Sequence, residues 1–131
     1  MKLACISVLL LASISLSAQV ARDGRHKIMI FGGTDHRTYL GCLSCSETAR
    51  DSVQNEIGKY GSEISETSIL NHISTYGSEI SDTSACNEIA QHPPVIVNER
   101  GNSYGYLTLN EIHNQVRNDD LLAWLKKVCE Q

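Results

Sequence analysis

Cys42-Leu-Ser-Cys45 is the constellation in this chain that most directly suggests chemistry. Two cysteines at this spacing can exchange thiols for disulfides where a helix opens behind them and its N-terminus lowers a thiol pKa. The segment behind Cys45 is Ser46-Glu-Thr-Ala-Arg-Asp51, a weak helix opening. The same two cysteines with His36, His72 or His92 could ligate zinc, which takes four Cys or His ligands. No second CxxC and no HxxxH accompanies them. Cys86 and Cys129 offer ordinary disulfide partners instead. Structural bridges among Cys42, Cys45, Cys86 and Cys129 are therefore the leading expectation, and four cysteines leave three pairings open. Closing the interval from Cys45 to Cys86 would contribute about 3–4 kcal/mol in the chain-entropy account.

Other chemistry is thinly supported. Glu63 and Glu79 hold equivalent places in a repeat and could approach each other, or Glu66 and Asp82. Paired carboxylates can do acid–base work or bind calcium. No Asp-x-Asp-x-Asp-Gly loop is present, and repetition alone sets like residues side by side, so a solvated face is expected. Asn55, Asn71 and Asn87 read as turn and cap residues bonding to local backbone rather than as ligands. There is no Gly-x-Ser-x-Gly elbow, Ser-x-x-Lys, phosphate loop or dinucleotide fingerprint. No catalytic residue, cofactor or metal is assigned.

The elements that would position these residues fall into three regions. Ile28-Met-Ile-Phe31 before Gly32-Gly33 reads as a buried strand, with a second around Thr38 to Leu43. Pro94-Val-Ile-Val97 and Tyr104-Gly-Tyr-Leu-Thr-Leu109 flank a turn-rich link and read as a β-hairpin. A tail helix starts near Asn118 or Asp119. Leu121, Leu122, Leu125 and Val128 form its apolar face with Trp124, and Lys126-Lys127 suits its C-terminal dipole.

Between these regions the chain repeats with a period of 16 residues. Residues 52–67 and 68–83 agree at 10 of 16 positions, and a partial copy spans 84–92, up to Pro93-Pro94. Ser46-Glu47 is a faint upstream echo of Ser62-Glu63. Within the copies Val53, Ile57, Tyr60 and Ile64, then Ile69, Ile73, Tyr76 and Ile80, follow a helical spacing. Gly58, Gly61 and Gly77 interrupt it, each costing about 1 kcal/mol in a helix interior. Single helical turns, such as Ser52 to Ile57 and Ser68 to Ile73, are predicted, with Ser52, Ser68 and Ser84 as N-caps. Each copy is too small to bury its own apolar face, so the copies must pack on each other or on a sheet.

The start of the chain reads as an export signal. Lys2 precedes an uncharged apolar run from Leu3 to Leu16, and Ser15, Ser17, Ala18 and Ala21 offer small residues for cleavage between 17 and 21. The run falls short of the ~20 residues needed to span a bilayer. Taking residues 1–18 as signal leaves a single small domain over 27–131. Losing Lys2 moves the net charge from −4 to −5. An acidic chain without a basic stripe argues against a nucleic-acid partner. No later segment is apolar enough to cross a membrane.

Tyr39-Leu-Gly-Cys-Leu-Ser-Cys-Ser46, the Ser-x-x-Asn and Tyr-Gly-Ser-Glu-x-Ser repeats, and Pro93-Pro-Val-Ile-Val with Gly105-Tyr-Leu-Thr-Leu-Asn110 resemble a group of small exported bacterial proteins without an established activity. The resemblance covers roughly Ile28 to Asn110 and carries no catalytic residues over. The group's repeats look tyrosine-rich. Here Ile57, Ile64, Ile73, Ile80 and Ile89 stand at places expected to be aromatic, which suggests bulk for packing rather than hydroxyl chemistry.

The resulting expectation is an α+β domain. A small antiparallel sheet, made of the N-terminal strand and the C-terminal hairpin, carries short helical-turn repeats and a C-terminal helix. The expected role is an exported (periplasmic or secreted), non-enzymatic structural or binding domain with a protein or surface ligand as partner. The alternative is a thiol–disulfide oxidoreductase using Cys42 and Cys45.

Overall fold

The computed structural model describes residues 27–131. The export signal and its cleavage region lie outside the described residues. Four short strands form one antiparallel sheet: β1 (Ile28–Gly32), β2 (Thr38–Cys42), β3 (Val95–Asn98) and β4 (Ser103–Tyr106), in the order β2-β1-β3-β4. The α-helix α1 (Asp119–Glu130) closes the chain. This is the α+β arrangement expected from the strand and helix patterns.

Each strand forms for a local reason. β1 alternates buried Ile28 and Ile30 with half-buried Met29 and Phe31, the period of a strand with one face inward. It turns through Gly33, whose φ of 87° suits glycine, into β2. At the β3–β4 hairpin the Asn98 side chain accepts from the amides of Arg100 and Asn102, at 2.9 and 3.0 Å. Asn118 caps α1 by accepting from the Leu121 amide at 3.0 Å. Asp119 and Asp120 then lie in the first turn and Lys127 in the last, matching the helix dipole.

The 16-residue copies form no helix. They run as a chain of turns in which an amide bonds the carbonyl three residues back: Asn55 to Ser52, Gly58 to Asn55, Ser68 to Ser65, Asn71 to Ser68, Ser74 to Asn71. The helical turns expected at Ser52 to Ile57 and Ser68 to Ile73 are thus replaced by successive tight turns. Serine and asparagine oxygens compete for nearby amides and favour such turns over helix. The close backbone approach this requires explains Gly77. A Cβ there would stand 2.3 Å from the Asn71 carbonyl oxygen and 2.5 Å from that of Ile69.

Sheet, turns and helix share one core. Ile28, Ile30 and Leu40 come from β1 and β2, and Ile96 from β3. Val53, Ile69 and Ala85, each 16 residues from the next, come one from each copy; Leu107, Val116 and Leu125 complete the core. The Val53 amide donates to the Cys42 carbonyl, and the Cys42 amide to the Asp51 carbonyl, which binds the first copy along β2. Two glycines make room at the seam: Gly41 faces Tyr60 and Val53, and Gly32 faces Tyr76. The Cys86–Cys129 disulfide fastens α1 to the third copy, and Cys42–Cys45 closes the corner between β2 and the first copy.

Candidate functional site

The turns that build the copies also decide which side chains face out. At the Ser and Asn corners the side-chain oxygen accepts the amide two residues on. Ser52 takes Gln54, Asn55 takes Ile57, Ser62 takes Ile64, Ser68 takes Leu70, Asn71 takes Ile73, Ser78 takes Ile80 and Asn87 takes Ile89. Each asparagine is also a strut, because its amide donates to the carbonyl six residues back: Asn55 to Ala49, Asn71 to Ser65, Asn87 to Ser81. Asn71 and Asn87 are buried, and this double bonding satisfies them.

Where the residue two places on is an isoleucine it stands outward, whereas Leu70, Tyr76 and Cys86, after Ser68, Ser74 and Ser84, lie against the core or buried. Ile57, Ile64, Ile73, Ile80 and Ile89 are 84–95% exposed. This corrects the packing role expected for them: the inward bulk comes from Val53, Ile69 and Ala85. In sequence the isoleucines fall into two series at the copy period, here called rows, 57/73/89 and 64/80. Single exposed apolar residues are ordinary; contiguous exposed apolar surface is what marks a contact site.

A sixth member was missed in the sequence. Asn110 accepts the Ile112 amide at 3.0 Å, and Ile112 is 95% exposed. The string Asn-Glu-Ile occurs at 55–57, 87–89 and again at 110–112, beyond the periodic segment. Searching for the turn rather than the period would have found it.

The surface around these rows is acidic. Glu56, Glu63, Glu79, Glu88 and Glu111 each directly precede an exposed isoleucine and are themselves exposed. Among the described residues the ion pairs are Lys27–Asp51 at 2.8 Å and His92–Asp82 at 2.6 Å, so none of these five glutamates is paired.

The cysteine constellation sits at the end of β2 rather than at the start of a helix. Cys42 ends β2 fully buried, and Cys45 is half-buried with turns, not a helix, behind it. Cys42, Cys45 and Asp51 are the one group of three ligand-type side chains that converges among the described residues, their ligand atoms lying within 4.8 Å of one another. Both sulfurs are committed to the disulfide. Asp51 is engaged by Lys27 at 2.8 Å and by the Tyr39 hydroxyl at 2.6 Å, which together hold its carboxyl below the usual range. Burial, with the Asp51 carboxylate beside it, pushes the Tyr39 hydroxyl upward. Cys45 also edges an apolar cleft with Leu43, Val53, Leu121 and Trp124.

The three histidines considered for zinc go to three separate places. His36 Nε2 donates to the Pro93 carbonyl, His72 Nε2 donates to the Val128 carbonyl in the last turn of α1, and His92 Nδ1 meets Asp82. Glu63, Glu66, Glu79 and Asp82 form no converging ligand group. Among the described residues no helix is long and apolar enough to cross a membrane. No protein-family model, curated protein or solved structure matches the chain.

Proposed function

We propose that this chain is an exported, non-enzymatic binding domain whose isoleucine rows are its contact surface. The observation that carries this reading is the inversion within each copy. Small or β-branched residues face the core while every isoleucine that follows an Asn or Ser corner by two places stands in solvent. Burying one such side chain stabilises a complex by about 1.5–3 kcal/mol. A row of three therefore brings about 5–9 kcal/mol toward the ~4–15 kcal/mol cost of association. Presentation on hydrogen-bonded corners limits the ordering cost. Export is supported by the apolar leader after Lys2, and two disulfides fit an oxidising compartment.

The test is selection from a random peptide library with the folded, oxidised chain. Selected peptides are expected to lose at least about tenfold in affinity, roughly 1.4 kcal/mol, when Ile57, Ile73 and Ile89 are changed together to Ser. Binding indifferent to that triple change would remove the reading. A second reading, thiol–disulfide exchange, is favoured by one observation, the half-exposed Cys45 edging an apolar cleft. It predicts catalysed reduction of a disulfide substrate by dithiol, abolished by Cys45→Ser. A rate equal to the uncatalysed one would discard it.

A further inference from the structure

Resting on the binding reading above, we infer that the rows take a cationic, apolar polypeptide segment: a stretch alternating basic and large aliphatic side chains. The charge of the molecule is unevenly placed. Residues 52–92 carry six carboxylates (Glu56, Glu63, Glu66, Glu79, Asp82, Glu88) against one cation, Lys59. Lys59 lies over the Tyr60 ring, 5.6 Å from its centroid. Outside this segment the described residues carry seven Lys or Arg against eight Asp or Glu, close to balance. The turns therefore hold nearly all of the excess negative charge, and only Asp82 is paired, with His92.

Charge and apolar surface share the same corners. Glu56-Ile57, Glu63-Ile64, Glu79-Ile80 and Glu88-Ile89 each put an unpaired carboxylate one residue from an exposed isoleucine, and neighbouring Cα atoms are about 3.8 Å apart. Glu111-Ile112 repeats the step on the β4–α1 link. His72 stands in the glutamate's place before Ile73 but is turned away to the Val128 carbonyl. An occupant must offer apolar groups at the copy spacing and neutralise the carboxylate beside every exposed isoleucine of the copies but Ile73. A small organic cation meets one step only, whereas a polypeptide meets several. A second copy of this chain would set glutamates against glutamates, and like charges across an interface are unfavourable.

The experiment measures binding of four synthetic peptides of equal length to the oxidised chain: alternating Leu–Lys, Leu–Ser, Ser–Lys and Leu–Glu. Leu–Lys is expected to bind at least about tenfold tighter than Leu–Ser or Ser–Lys, with Leu–Glu weakest. Its affinity should drop at least about fivefold between about 50 and 500 mM salt, as exposed charge pairs are screened. Glu56, Glu63, Glu79 and Glu88, changed together to Gln, should weaken Leu–Lys about tenfold and leave Leu–Ser unchanged. The Ile57/Ile73/Ile89→Ser chain should weaken both. Equal binding of Leu–Lys and Leu–Ser, lost in the Ser chain, overturns the cationic partner while the binding surface stands. Binding that ignores the isoleucines altogether ends both. Sedimentation showing self-association, abolished in the Ser chain, overturns the inference in favour of a second copy.

Discussion

A single position in the turn separates a structural residue from a displayed one. Asn71 is 5% exposed; its amide group donates to Ser65 and its oxygen accepts from Ile73. Asn71→Ala removes both bonds, leaving the Ser65 carbonyl with the Ser68 amide alone and the Ile73 amide without its acceptor, so a loss of about 1–3 kcal/mol is expected in chemical denaturation. Ile73→Ser, two residues on and 92% exposed, should stay within about 0.5 kcal/mol of the parent. The contrast was not legible in advance, because an isoleucine ordinarily signals a core. Asp51 gives a different kind of residue-level test. Lys27 and Tyr39 hold its carboxyl below the ordinary value. The stabilisation is therefore fully present above the unfolded carboxyl's pKa and is lost as pH falls through the depressed one. Asp51→Asn should be less stable than the parent at neutral pH, by about 1–2 kcal/mol, with the gap closing progressively below about pH 4. Urea midpoints across that range measure it. The Lys27 contact alone is half-exposed and is worth under about 1 kcal/mol.

At the scale of elements, the strands and the tail helix were readable because their signals are local. Glycines bound Ile28–Phe31, turn residues separate Val97 from Tyr104, and Asn118 precedes an amphipathic run. The copies misled because two spacings coexist in them. Apolar residues recur at four, three and four, which imitates a helix. Corner residues Ser52, Asn55, Gly58, Ser62, Ser65 and Ser68 recur at three, three, four, three and three, and that second spacing is the one the backbone obeys. Ser46 and Ala49 continue it upstream, which is why the Ser46-Glu47 echo was visible. Such corners tolerate no added bulk where backbones meet. Gly77→Ala would set a methyl 2.3 Å from a carbonyl oxygen, and a loss of at least about 2 kcal/mol is expected in a thermal melt. Gly101→Ala has open space but a φ of 83°, so its cost should be near 1–2 kcal/mol.

Across the whole molecule, the two disulfides do unequal work. Cys42–Cys45 spans three residues and Cys86–Cys129 spans 43. Chain-entropy reasoning makes the first worth about 2 kcal/mol and the second about 4 kcal/mol. Replacing Cys86 and Cys129 by Ser should therefore lower the denaturation midpoint more than replacing Cys42 and Cys45, and should free α1 to hydrogen exchange first. No spacing rule could have chosen this pairing, because it depends on α1 returning to the third copy. The long bridge also sets how the protein behaves under tension. A pull between its first strand and its last residue must pass through Cys86 and Cys129, so the backbone of the hairpin and of the link to α1 lies inside a closed covalent ring and cannot be drawn out. Reduction would add the slack of that ring, 43 residues at about 3.3–3.6 Å each, or roughly 150 Å, to the fully stretched length. With the bridge intact, only the segment ahead of Cys86 can be drawn out, and extension stops at the disulfide.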